Sequence, residues 1–104
     1  MTVLTVKFAV YGALNGGNQD QSQVVNVQEV LQAAINRNQG IVTINNTTMG
    51  GDPSFGNGKH FGATVTLDSV DRYFACAEGQ TIDFFHTKAA GQNTRKVALS
   101  EVTG

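Results

Sequence analysis

One segment of this 104-residue chain has apolar residues at helical spacing. It lies between segments in which apolar and polar residues alternate, as they do in strands. From Asn26 to Asn38 the apolar residues follow the i, i+3, i+4, i+7, i+8 pattern of an amphipathic helix: Val27, Val30, Leu31, Ala34 and Ile35. Asn26 and Glu29 stand at capping-box spacing, and Gly40 supplies a left-handed residue after the helix. A single helix among strands predicts an α+β fold in which that helix covers one face of a sheet.

Strands are predicted from period-two alternation and from β-branched composition. Five segments qualify: 3–11, 41–48, 61–67, 72–77 and 81–85. In the first of them Leu4, Val6, Phe8 and Val10 share the parity that we expect to face the core. Short connections at 68–71 and 78–80 predict that the last three strands form an antiparallel meander. Residues 12–23 are rich in Gly, Asn and Gln without periodicity, and this composition predicts a loop.

The length fits one domain, residues 1–104, built as an antiparallel sheet of about five or six strands with the helix on one face. Residues 86–104 form either an extended tail or an edge strand. The stretch KVALSEV, residues 96–102, has the composition to add to the sheet or to pair with another subunit.

Charge is scarce in this sequence, because charged residues make up 14% of the chain against about 25% in typical domains. The net charge of -1 without a basic cluster argues against nucleic acid as a partner. No apolar run approaches the ~20 residues of a membrane span, and the alternating N-terminus does not resemble a signal peptide. Together with the lone Cys76, these features predict a cytoplasmic or unconventionally secreted protein without an intrachain disulfide.

Catalytic and metal-binding patterns are weak. Cys76 with His60 or His86 is a conceivable nucleophile and base, but Cys76 shares parity with Phe74 and is better explained as a buried thiol. The histidines are far apart in sequence, and the carboxylates follow no calcium-loop register. We therefore expect a protein that is not an enzyme and that has no metal or cofactor.

The connection GGDPSFGNGKHFGA, residues 50–63, concentrates five glycines, the only proline and one histidine before a strand. One interpretation is a structural turn braced by an ion pair between Asp52 and Lys59. The other is a binding loop, in which Asp52, Lys59 and His60 contact a ligand that approaches the exposed glycine backbone. Sugars suit such a site, because each hydroxyl both donates and accepts.

Four segments carry a resemblance to a known family: YGAL (11–14), VNVQEVLQAAI (25–35), GGDP with GKHFGA (50–63) and YFACAEGQTIDF (73–84). Their order resembles a family of small fungal and plant proteins that includes a mushroom lectin for terminal α-galactosyl sugars. A looser version, a YG pair followed by a helix entry, G-x-D-P and a lysine, is similar to the C-terminal domain of a mitochondrial DnaJ-family chaperone.

The first resemblance implies an α+β homodimer that binds galactose-containing glycans without catalysis. It places the ligand-binding residues in the matching segments: Tyr11, Asn46, Gly51, Asp52, Lys59 and His60. The second resemblance implies the alternative, an intracellular protein-interaction module. Because the chain has no Trp, stacking on a sugar is expected from Tyr11, Phe55, Tyr73 or His60.

Overall fold

The computed structural model describes residues 3–86 and 92–96. Within these residues there are six strands and one α-helix: β1 (Leu4–Leu14), β2 (Ser22–Asn26), α1 (Gln28–Arg37), β3 (Ile41–Thr43), β4 (His60–Leu67), β5 (Val70–Ala77) and β6 (Thr81–Asp83). The strands form a four-stranded antiparallel sheet in the order β2-β1-β4-β5 and a two-stranded sheet of β3 and β6. The predicted α+β class is confirmed.

The predicted hairpin between β4 and β5 is confirmed, but the meander is wrong in its last strand. β6 pairs with β3 instead, with Ile41 opposite Asp83 and Thr43 opposite Thr81. The turn after β5 is bound to the end of β3, since Ile44 N donates to Gln80 O at 2.9 Å and Gly79 N donates to Ile44 O at 2.7 Å. These bonds direct the chain away from the edge of β5.

The amphipathic helix is confirmed and packs on β1. Leu31, Ala34 and Ile35 are buried, while Val30 is 39% exposed at the rim of the stripe. The predicted capping box is wrong: the N-cap residue is Val27, which makes no side-chain cap bond. Asn26 Oδ1 accepts from Gln28 N at 2.9 Å, and the Glu29 side chain makes no hydrogen bond within the described residues.

A bulge at Lys7 reverses the predicted parity of β1. Leu4 and Val6 face the core opposite Leu67 and Val65, but Phe8 is opposite Thr64 after the shift. One extra residue moves every later side chain to the other face. Ala9 and Tyr11 are therefore fully buried, and Phe8, predicted to be in the core, is 54% exposed.

Residues 12–23 are not all loop, as the sequence predicted, because β1 continues to Leu14 and β2 begins at Ser22. The two strands approach closely at Gly12, where a Cβ would lie 2.6 Å from Val24 Cα and would collide with the Gln23 carbonyl oxygen. Glycine is thus a requirement of the β1–β2 pairing. A short 3-10 turn at Asn15–Gly17 connects the strands.

The strand predicted over residues 41–48 ends at Thr43. Side chains just beyond it bind the local backbone: Thr48 N donates to Asn45 Oδ1 at 2.9 Å, and Asn45 N donates to Thr48 Oγ1 at 3.1 Å. Such bonds compete with a strand ladder and favour a turn.

Glutamine side chains bind the backbone at exposed strand edges. Gln32 Oε1 accepts from Val6 N at 2.7 Å, and its Nε2 donates to Leu4 O at 3.1 Å. At the edge of β5, Gln92 Oε1 accepts from Tyr73 N at 2.6 Å, and Nε2 donates to Tyr73 O at 2.8 Å. The strand predicted for KVALSEV lies outside the described residues, apart from its first lysine.

Candidate functional site

The side chain of Lys59 is almost fully buried, and it lies between two carboxylates. Its Nζ is 3.0 Å from Asp52 Oδ1 and 3.6 Å from Glu78 Oε1, and it donates to Ser54 O at 3.4 Å. The predicted ion pair between Asp52 and Lys59 is confirmed. A buried cation needs such partners, because desolvation without them is costly.

Tyr11 lies next to this ion cluster and is inaccessible to solvent. Its hydroxyl donates to Asn46 Oδ1 at 2.7 Å. Burial, followed by the negative charge of Glu78, raises the pKa of Tyr11 to about 12. Tyr11 and Asn46 thus belong to the same polar cluster, but the ring of Tyr11 has no surface on which a ligand can stack.

Hydrogen bonds brace the loop that carries Asp52. Asp52 Oδ1 accepts from Ser54 N at 2.9 Å, and Ser54 Oγ bonds Gln23 Oε1 at 2.7 Å. Asn57 Nδ2 donates to Ser54 Oγ at 2.8 Å and to Asn15 Oδ1 at 3.1 Å. The Ser54 amide, together with the Lys59 ammonium, lowers the pKa of the Asp52 carboxyl below its usual value. Phe55, at the tip of this loop, is 91% exposed.

The structure brings five of the six predicted site residues together and separates the sixth. Gly51 N donates to Asn46 O at 2.7 Å, which links the glycine to the cluster of Tyr11, Asp52 and Lys59. His60 is opposite Gly12 and Ala77 in the sheet, on the face away from the core. The Lys59 ammonium lies in the buried cluster, whereas His60 is exposed on the opposite side of the sheet, so the two side chains do not belong to one site.

A groove of about 400 Å³ lies between β2, the start of α1 and the loop after Met49. Gly51 and Asp52 line it, together with Asn26 and an apolar wall that includes Val25 and Val30. Asp52 Oδ2 and Asn26 Nδ2 make no hydrogen bond within the described residues. No hydrogen bond within the described residues therefore competes with a ligand for these two atoms.

Asn26, Val25 and Val30 are contributors that the sequence did not predict as site residues. Asn26 was interpreted only as a helix cap, and its Oδ1 does bond Gln28 N. Val25 stood only at the start of the resembling segment 25–35 and is 40% exposed in β2. Val30 was predicted in the apolar stripe of the helix, and nothing in the sequence indicated that it is 39% exposed and lines this wall.

A second concavity, of about 340 Å³, lies on the other face of the sheet. Val10, Gly12, Leu14, Val24, His60 and Gly62 line it. Most of these side chains are apolar or absent, so the concavity offers few groups that bond a polar ligand.

Burial raises the pKa of the Cys76 thiol, and a protonated thiol is a poor nucleophile. Across residues 3–86 and 92–96, no group of three His, Cys, Asp or Glu side chains is placed to hold a metal ion. No helix in the described part of the chain is long and apolar enough to cross a membrane.

Comparison of the chain with protein-family models, with curated proteins and with solved structures finds no match.

Proposed function

We propose that this chain is a non-enzymatic carbohydrate-binding protein that recognises terminal galactosyl sugars in the groove lined by Gly51 and Asp52. The observation that carries the proposal is that Asp52 and Asn26, each with a side-chain atom that makes no hydrogen bond within the described residues, line one groove of about 400 Å³ together with an apolar wall. This volume is at the lower end of the range for small-molecule sites and suits one or two sugar rings.

The groove offers complementary groups to a sugar. A carboxylate oxygen accepts from hydroxyls, and charge-assisted hydrogen bonds of this kind are strong. The amide nitrogen of Asn26 donates to a hydroxyl oxygen, so the pair uses both capacities of a sugar hydroxyl. Val25, Val30 and Pro53 supply apolar surface for the C–H face of the ring.

The buried cluster positions Asp52 for this role. One carboxylate oxygen is held by Ser54 N and Lys59 Nζ, at 2.9 and 3.0 Å, which fixes the orientation of the other. A group that is held in its bound conformation loses little entropy on binding. In this proposal Asp52 and Gly51 contact the sugar. The side chains that hold these two residues in position do not contact it themselves: Lys59, Tyr11 and Asn46. His60 makes no contact with the sugar.

The proposal includes the homodimer that the resemblance implies. Two copies present two grooves, and a glycan with several terminal galactoses gains avidity from both. Agglutination by the protein, at concentrations where a monovalent galactoside binds weakly, is the expected consequence.

Titration calorimetry with methyl α-galactoside tests the groove. We expect a dissociation constant of about 1 mM, which corresponds to about -4 kcal/mol. Asn26→Asp removes the amide donor but keeps the oxygen that caps Gln28 N, and Val30→Trp fills the groove from an exposed helix position. Each should weaken binding at least tenfold, whereas Ala33→Trp, an exposed position on the same helix that does not line the groove, should bind as the wild type does.

Thermal unfolding of each variant provides the control for folding. A wild type that binds no galactoside, and no other sugar across a glycan array, would remove the proposal. The protein-interaction module would then remain as the alternative prediction.

A further inference from the structure

After the bulge at Lys7, exposed apolar side chains lie on the side of the sheet opposite α1, and no helix or strand of the described residues covers them. We call this surface the outer face, and within the described residues it comprises the outward positions of four strands: Phe8, Val10, Gly12 and Leu14 on β1, Ser22, Val24 and Asn26 on β2, His60, Gly62, Thr64 and Thr66 on β4, and Asp71, Tyr73, Ala75 and Ala77 on β5. Phe8, Leu14, Val24 and Tyr73 are between 41% and 54% exposed. Contiguous exposed apolar patches on a sheet mark interaction sites.

We propose that the outer face is the interface between two copies of this chain. This inference rests on the dimer of the proposed function but not on its sugar specificity. Three properties of the outer face favour a second copy of the chain as its partner: its area, its scarcity of charge and its relief.

The area of the outer face is sufficient for a specific dimer. Four strands spaced about 4.8 Å apart span about 19 Å, and eight residues at about 3.3 Å each span about 26 Å. The face therefore covers about 500 Å² in projection, and two copies bury about 1,000 Å² before side-chain relief is counted. This value reaches the minimum for a biological interface and exceeds most crystal-packing contacts.

The charge of the outer face permits contact with an identical copy. Its charged side chains, Lys7 and Asp71, lie at one end of the sheet and pair with each other at 3.1 Å. No Asp, Glu, Lys or Arg lies among the central outward positions of the four strands, where His60 is the one titratable side chain. Two copies thus meet without like-charge repulsion, whereas a strongly charged partner gains nothing here.

The relief of the face is self-complementary. Gly12, Gly62 and the neighbouring Ala75 leave a trough, part of which is the concavity of about 340 Å³. Phe8 and Tyr73 project at one end of the trough, on either side of Thr64. In an isologous pair a two-fold axis brings the projecting rings of each copy to the trough of the other.

Light scattering after size exclusion tests the proposal without any sugar. At about 100 µM the wild type should have twice the chain mass of 11.0 kDa. Val10→Lys places a charge from each copy at the centre of the interface, and Phe8→Ser removes a projecting ring; both should give the monomer mass. Phe55→Lys is the matched control, because it changes an exposed phenylalanine away from the outer face and should leave a dimer.

Circular dichroism and titration with methyl α-galactoside complete the test. A folded Phe8→Ser monomer should keep the sugar affinity of the wild type per site, because Phe8 neither lines the groove nor pairs with a residue of β2. A monomeric wild type overturns the proposal, and so does a dimer that persists in both Val10→Lys and Phe8→Ser. If light scattering gives the expected masses for the wild type and the variants but no sugar binds, only the proposed sugar specificity is overturned.

Discussion

Replacement of Lys59 by Met should destabilise the fold strongly, although it retains an unbranched side chain of similar length. The change leaves Asp52 and Glu78 without their cation in the cluster. Removal of one partner from a buried ion pair costs about 3–5 kcal/mol. Because the two carboxylates are 28% and 29% exposed, water solvates them in part, and we expect the lower end of this range, about 3 kcal/mol for Lys59.

Urea denaturation measures the loss. With a slope of about 1.5 kcal/mol/M, a loss of about 3 kcal/mol lowers the midpoint by about 2 M. Lys7→Met is the matched control, since the pair of Lys7 with Asp71 is 51% and 41% exposed and should leave the midpoint near that of the wild type. Adding Glu78→Gln to Lys59→Met should recover part of the loss, because it removes one uncompensated carboxylate. Equal midpoints for Lys59→Met and Lys7→Met would refute the argument that the buried cluster stabilises the fold.

Three further predictions concern packing, strand pairing and pH. Leu31→Ala should destabilise by about 2–5 kcal/mol in urea denaturation, and Ile82→Ala by less, because Leu31 is fully buried whereas Ile82 is only partly so; a larger effect at Ile82 would contradict this packing order. Gly12→Ala should cost about 1–3 kcal/mol through collision with β2, while Gly62→Ala should be tolerated, because its Cβ would lie 4.0 Å from Phe74 O; similar midpoints for both would speak against the close approach at Gly12. The lowered pKa of Asp52 means that its carboxyl binds fewer protons in the folded state, so its stabilising contribution is present above the ordinary value of 3.8 and is lost as the pH falls below it. Asp52→Asn should therefore lose less stability than the wild type between pH 7 and pH 3. Equal losses of stability in the two proteins would refute this.

Local patterns in the sequence predicted the elements whose cause is local. The helical stripe, the hairpin of β4 and β5 and the alternation of Phe61 to Leu67 are all confirmed. Each depends on residues within a few positions of one another, so periodicity and turn composition suffice. The ion pair of Asp52 and Lys59 followed from a short loop with opposite charges at its ends.

The sequence did not predict the features that depend on contacts between residues far apart in the chain. The bulge at Lys7 is set by pairing with β4, so the core parity predicted from alternation is right at Leu4 and Val6 and wrong from Phe8 onward. β2 lies in a polar stretch whose strand character depends on pairing with β1. The groove was half predicted: Gly51 and Asp52 followed from loop composition, whereas Asn26 was predicted only as the helix cap and Val25 was assigned to no helix, strand or loop.

The amide-rich composition has a structural explanation besides ligand binding. Gln32 and Gln92 bind the backbone at strand edges, and Asn15, Gln23 and Asn57 brace the loop around Ser54. An amide both donates and accepts, so one side chain satisfies an N–H and a C=O of the same strand. A charged side chain offers only one of these functions, which accounts for the low charge of this fold.

The sheet order has a consequence for synthesis of the chain. β1 is central in the four-stranded sheet but is synthesised before the other three strands of that sheet, and β4 begins only at His60. Growing from its N-terminus, the chain can pair β1 with β2 and cover it with α1 well before β4 exists. Until then one long edge of β1 is open to strands of other nascent chains, and contacts of such large sequence separation form slowly. Rapid translation at high temperature should therefore favour aggregation of this protein, and slower synthesis should favour its native form.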